Sequence, residues 1–195
     1  MPNMAKKLKN VSLLDISGSY RRILAHFFSY PERTTGLNDL SKQIGSSKTS
    51  TKLAVNHLIK QGFLKKEEVG NAWRLCVEPR NSFIMTKKIP HNLQLIYESG
   101  IVGAVYDKIP NARAIILFGS YRWGSDNEKS DIDIAVEVLD NKDMRIETLG
   151  LIEQLGFRRN VKVNLHIFSR NRIDLNLFTN MANGILLDGL LEVHP

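Results

Sequence analysis

The chain of 195 residues has one cysteine, Cys76, which excludes an intramolecular disulfide and a cysteine zinc cluster. Within an apolar strand it reads as a core residue. No apolar run approaches the roughly 20 residues that a membrane-spanning helix needs, so no membrane partner is expected. The start, Met1-Pro2-Asn3-Met4-Ala5-Lys6-Lys7, lacks the hydrophobic stretch of a secretory signal, and a cytoplasmic location is the expectation. His26, His57, His91, His166 and His194 form no pair at metal-ligand spacing on one helix. No serine occupies a G-x-S-x-G elbow, and Gly100 and Gly103 complete neither a dinucleotide fingerprint nor a Walker lysine loop. With 43% hydrophobic and 24% charged residues, the composition is that of an ordinary globular protein of one large or two small domains.

Charge is unevenly spread. Residues 1–80 hold 14 Lys and Arg against 6 Asp and Glu, a balance of +8, whereas residues 81–195 hold 13 against 14, a balance of −1. A basic first part points to a polyanionic partner. After Ser17-Gly18-Ser19, the residues Tyr20, Ile23, Leu24, Phe27 and Phe28 recur at helical spacing, and Pro31 closes that helix. A shorter helix covers Leu37 to Ile44. A third runs from Thr49 to Gln61, with Thr51, Val55 and Leu58 on its inner face and Lys48, Ser50, Lys52, Asn56 and Lys60 outward. Phe63 to Glu68 and Ala72 to Val77, joined at Val69-Gly70-Asn71, read as a two-stranded hairpin.

Three helices and a hairpin resemble the winged helix-turn-helix of bacterial and archaeal transcriptional regulators, over roughly residues 13 to 79. The resemblance implies double-stranded DNA as a partner, with Lys48, Ser50, Thr51 and Lys52 near the start of a recognition helix and Lys66 and Arg74 on the wing. Lysines and arginines there would contact phosphates chiefly, making binding salt-sensitive. A homodimer reading two half-sites is the corresponding assembly. Use of the same module for protein contacts stands as the alternative.

Past Glu78-Pro79, residues 80–110 form a connector that includes one long helix over Asn92 to Ile109. Ala114-Ile115-Ile116-Leu117-Phe118 reads as a strand covered on both faces. The residues Gly119-Ser120-Tyr121-Arg122-Trp123-Gly124 form a small-residue turn, followed by a second strand, Asp131-Ile132-Asp133-Ile134-Ala135-Val136. Side chains alternate along a strand, so Asp131 and Asp133 project together while Ile132, Ile134 and Val136 face a core. Two adjacent carboxylates repel unless cations bridge them, and magnesium ions joining them to a triphosphate would do so. Gly119 would let the backbone approach a phosphate, Ser120 would add a hydroxyl, and the amides opening the next helix favour an anion. Arg122 and Lys129 are candidates for steadying phosphate oxygens and Trp123 for stacking on a base, with ordinary surface roles as the competing explanation. Asp143 to Leu155 reads as a helix leading to the strand Val161 to Ile167, an α/β alternation. The tail from Ile173 to Leu191 reads as a helix with a final apolar segment.

Gly119-Ser120, ten residues, then Asp131-x-Asp133 resembles the signature of the polymerase-beta-like nucleotidyltransferase superfamily, in particular its minimal members, over roughly residues 93 to 190. That resemblance implies a turn that holds the triphosphate, two metal-binding carboxylates, two Mg2+ ions when an NTP is bound, and ATP as the expected NTP. It also implies a third carboxylate on a later strand, at the position of Asn164. An amide cannot accept the proton of an incoming hydroxyl. His166, on the face of Asn164, and Glu137, on the face of the two aspartates, are the residues that could compensate.

The expected fold is therefore α/β: an α+β nucleotidyltransferase domain with a mixed sheet and flanking helices (111–195), behind a linker and connecting helix (80–110) and a small winged helix-turn-helix domain (1–79). One functional reading is a magnesium-dependent enzyme moving a nucleoside monophosphate to a hydroxyl, on a small molecule or on a partner protein such as a toxin. The other is a DNA-binding regulator or antitoxin-like protein that binds nucleotide with little or no turnover.

Overall fold

The computed structural model describes residues 18–192. The expected domain start at residue 1, the winged-helix resemblance before residue 18, and His194 lie outside the described residues. Helix α1 (Ser19–Ser29) buries Ile23, Leu24, Phe27 and Phe28 and stops before Pro31. Helices α2 (Leu37–Gln43) and α3 (Lys48–Lys60) complete the amino-terminal helices. Ser47 caps α3 by accepting from the Ser50 amide at 3.2 Å, satisfying one of the free donors at a helix start. Thr51, Val55 and Leu58 are buried, as their spacing predicts. Strands β2 (Leu64–Val69) and β3 (Ala72–Val77) form the expected antiparallel hairpin. The two-residue β1 (Thr35–Gly36) adds to the other edge of β3, a pairing too short to leave a sequence pattern.

A π-helical turn (Ile84–Lys88) runs into α4 (Ile89–Glu98) and then α5 (Ile101–Lys108). The single helix expected over Asn92 to Ile109 is thus two. Gly100, at φ +74, adopts the left-handed conformation that ends one helix and caps the next. Strands β4 (Ala114–Phe118), β5 (Ile132–Glu137), β6 (Arg145–Leu155), β7 (Arg158–Phe168) and β8 (Ile185–Gly189) form a five-stranded sheet in the order β6-β7-β5-β4-β8. Only β5 and β7 are parallel, so the sheet is mixed.

Two expectations are corrected here. Asp143 to Leu155 is not a helix: the segment holds strand β6, hairpin-paired with β7, so the crossover from β5 to β7 is made by a strand rather than a helix. The register shifts between Thr148 and Gly150, which inserts Leu149 as an extra residue three before the buried Ile152; Leu155, buried at the hairpin end opposite Arg158, completes a spacing that imitates a helix. The tail is helical only over α7 (Leu175–Ala182), whose first turn is capped by Asp174. The final apolar segment is β8, reached through Gly184. A Cβ there would stand 2.6 Å from the Leu117 carbonyl, so glycine permits the close approach that lets β8 join β4.

The sheet is covered on both faces. Leu95, Ile96, Ile101 and Val105 of α4 and α5 pack on Ile115, Leu117, Ile132, Ile134 and Val163. On the opposite face, Ala114, Ile116, Ala135 and Phe168 pack with Met181 of α7. Asp131 and Asp133 belong to this second face, at the start of β5.

Candidate functional site

Asp133 pairs in register with Phe118 of β4 on one side and Asn164 of β7 on the other. The sheet itself therefore brings together the two segments that the motif implies. Asn164 Nδ2 donates to Asp131 Oδ2 at 3.2 Å and to Asp133 Oδ1 at 3.4 Å. His166 Nε2 lies 3.2 Å from Asp133 Oδ1, and its ring meets Phe118 edge-on at 4.8 Å. Asp131, Asp133, Asn164 and His166 are all part-exposed and share one corner of the sheet.

Helix α6 (Gly119–Trp123) starts as β4 ends, and its first residue touches this corner. Gly119 adopts φ +70, and a Cβ on it would come within 3.0 Å of Asp133 Oδ2. Only glycine satisfies both the backbone conformation and the contact. Ser120 is the next residue of the same turn and is part-exposed.

The other sequence candidates diverge. Arg122 Nε donates to the Asn183 carbonyl at the end of α7 at 2.9 Å, and its guanidinium lies 3.8 Å over the exposed Trp123 ring. Lys129 is exposed on the turn before Asp131. Glu137 is fully buried and bound by Arg170 at 2.8 and 3.0 Å, which makes it an anchor of the β5 end rather than a substitute for a third carboxylate.

Sequence reasoning missed a buried polar group behind the site. Lys88 pairs with Asp126 at 3.2 Å, with side chains 1% and 4% exposed. Burial pushes the Asp126 carboxyl up and the Lys88 ammonium down, each toward its neutral form. Asn92 Nδ2 donates to Asp126 Oδ1 at 2.7 Å and to the Tyr121 carbonyl at 3.1 Å. Arg158 donates to the Tyr121 hydroxyl, the Ser130 carbonyl and, at 3.2 Å, the Glu128 carbonyl. Burial raises the Tyr121 phenol well above its ordinary value, so it stays protonated. No sequence pattern marks these residues, because each lies in a different element.

In the amino-terminal part of the chain, Lys48, Ser50 and Lys52 are exposed along α3. Lys52 and Lys66 place their ammonium groups 5.2 and 4.5 Å over the Trp73 ring. A cleft of about 670 Å³ opens between the starts of α2 and α3 and the hairpin, lined by Asp39, Lys48, Lys52, Asn71 and Trp73 among others. Arg74 is separate. It pairs across the hairpin with Glu67, one residue out of step with Trp73 and Lys66, and so projects from the opposite face.

The corner formed by Gly119, Asp131 and Asp133 lies inside a segment with known relatives. Residues 103–187 match the family described as "Polymerase beta, Nucleotidyltransferase". This part of the chain is nucleotidyltransferase-like. A stretch of 51 residues is also 43% identical to the protein adenylyltransferase MntA of Shewanella oneidensis, covering 26% of this chain and 37% of that protein. Among the described residues, no helix is long and apolar enough to cross a membrane.

Proposed function

We propose that the carboxyl-terminal domain transfers a nucleoside monophosphate from an NTP, most simply ATP, to a hydroxyl, with release of pyrophosphate. The observation that carries this reading is the meeting of Asp131, Asp133 and Gly119 at one corner of a nucleotidyltransferase-like sheet. The donor set fits magnesium. Two carboxylates supply the hard oxygens that this ion takes, and neither forms an ion pair with lysine or arginine among the described residues. Asp131 and Asp133 would hold the ions, which when bound neutralise charge on the phosphates during displacement. Gly119 lets the backbone approach the triphosphate, and Ser120 offers its hydroxyl. Asn164 orients both aspartates through its amide but takes no proton. His166 sets its ring against Asp133 through Nε2.

The relative named a protein adenylyltransferase supports a hydroxyl on a partner protein, such as a tyrosine, as the acceptor. For the amino-terminal domain we propose a winged helix-turn-helix that binds double-stranded DNA as a homodimer, with Lys48 and Lys52 on the recognition helix and Lys66 beside Trp73. Asn164 also favours a second reading, a DNA-binding regulator that holds nucleotide with little turnover.

Incubating the full chain with α-labelled ATP, magnesium and candidate acceptor proteins tests the first reading. It predicts label transfer that Asp131→Ala abolishes. Nucleotide binding without transfer to any acceptor would favour the regulator.

A further inference from the structure

The residues between α6 and β5 carry Asp131 to its place, and they are gripped from two sides. On one side stands Arg158, the first residue of β7, only 6% exposed. Its guanidinium reaches Ser130, which directly precedes Asp131, and Tyr121, which directly follows Ser120. One planar group with donors at fixed angles thus ties the carboxylate segment to the glycine-serine helix. The turn itself is stiffened by Asn127, whose side-chain oxygen accepts from the Lys129 amide at 3.0 Å and whose backbone N–H donates to Ser130 Oγ at 3.0 Å.

On the other side stands the amino-terminal domain, at the end of α1. The Tyr30 hydroxyl donates to the Phe157 carbonyl at 2.6 Å, immediately before Arg158. The Phe157 ring meets His26 edge-on at 5.4 Å. Glu32 accepts from Asn127 Nδ2 at 3.0 Å, and Arg33 pairs with Glu128 at 2.6 Å. All these contacts fall on two short segments, residues 127–130 and 157–158. The pairs at Glu32 and Arg33 are solvent-exposed and add little to stability. Their placement bears instead on where the turn sits.

We propose that Arg158 is a positioning residue for Asp131 and the Gly119-Ser120 helix, and that the amino-terminal domain braces Arg158 through Tyr30 and Phe157. The site is then fully set only while the two domains are docked, and an event on the first domain reaches Asp131 through Phe157, Arg158 and Ser130. Its consequence for catalysis rests on the transferase reading above; its structural content does not.

The test compares the full chain with Arg158→Lys, Arg158→Met and Tyr30→Phe by amide hydrogen exchange, and by steady-state transfer from ATP. Local exchange over residues 119–131 should accelerate about tenfold or more in Arg158→Met and less in Arg158→Lys, which keeps charge but loses the fork. Protection of α3 and the β2–β3 hairpin should stay unchanged. Tyr30→Phe, which removes one hydroxyl, should give the same local pattern at smaller amplitude. Transfer should show kcat reduced about tenfold or more with KM for ATP within about threefold, because positioning rather than binding is lost. Unchanged exchange over 119–131 in Arg158→Met, or acceleration spread evenly through the carboxyl-terminal domain, would overturn the role of Arg158. A silent Tyr30→Phe would overturn the brace. If the unaltered chain transfers nothing, the transferase reading fails while the exchange measurements still decide the positioning claim.

Discussion

A methyl group on Gly119 would stand 3.0 Å from Asp133 Oδ2 while forcing an L-residue into φ +70. The backbone penalty alone is about 1–2 kcal/mol, and the contact adds displacement of the carboxylate. Gly119→Ala should therefore lower the melting temperature by a few degrees, the size expected for a chain of about 200 residues. Binding of magnesium-ATP should suffer more than that loss of stability would suggest. Thermal unfolding and titration of the same preparation check the pair of effects; lower stability with unaltered nucleotide affinity would place Gly119 outside the phosphate site. Asn164 is the other residue that defines this corner. It touches both aspartates, yet its side chain has no group that titrates in the useful range. His166 and Glu137 were the two residues able to compensate, and the structure separates them: His166 contacts Asp133, whereas Glu137 is buried against Arg170.

Helix α3 presents its polar face beside the hairpin, and three of the lysines expected to meet DNA line or flank one cleft with Trp73. Arg74 lies on the opposite face of the hairpin. Replacing Lys48 and Lys52 with alanine should weaken duplex binding at every sequence tested and flatten its salt dependence by close to two phosphate contacts, whereas Arg74→Ala should do less. Fluorescence anisotropy across a salt series measures both; an equal or larger effect of Arg74→Ala would move the interface to the other face. How far such elements can be read in advance depends on local signals. Helices α1 and α3 carry theirs openly, in apolar spacing, a serine cap and a proline stop. Strand β6 does not, because a bulge at Leu149 sets that residue three before the buried Ile152, and Leu155 is buried at the hairpin end. The β8 segment looked like a helix end because only the fold reveals that Gly184 slips against Leu117. That Asp131 and Asp133 share a face was legible from alternation, whereas Asn164 was placed beside them only by the nucleotidyltransferase resemblance, and the pairing of β5 with β7 sets it against Asp133. Arg158, Tyr121, Asp126, Lys88 and Asn92 were not legible, since their partners lie 28 or more residues away in sequence.

At the scale of the molecule, α1 meets the carboxyl-terminal sheet across a surface that buries an imidazole. His26 is 2% exposed, packs between Tyr30 and Phe157, and neither ring nitrogen has a hydrogen-bond partner. Burial, with the Arg33 charge nearby, lowers its pKa from 6.5 to about 4. The neutral form is thus the one that fits the folded chain. Its stabilising contribution is complete above about pH 6.5 and declines as pH falls from there toward 4, by up to about 3 kcal/mol. His91, beside Phe28, is lowered to about 4 chiefly by burial and acts in the same direction. His26→Gln should make the stability profile flatter between pH 6.5 and 4, as followed by denaturant unfolding at stepped pH; an unaltered slope would remove His26 as the cause. The domains are joined by structure as well as by chain, yet the chemistry proposed for the molecule depends on one corner of its sheet. Calorimetric titration of the full chain with ATP, with and without magnesium, tests that most directly. Magnesium-dependent ATP binding is expected, lost in Asp133→Ala while the melting temperature stays within a few degrees. Binding of equal strength in that variant, or no binding by the unaltered chain, would contradict the proposed chemistry.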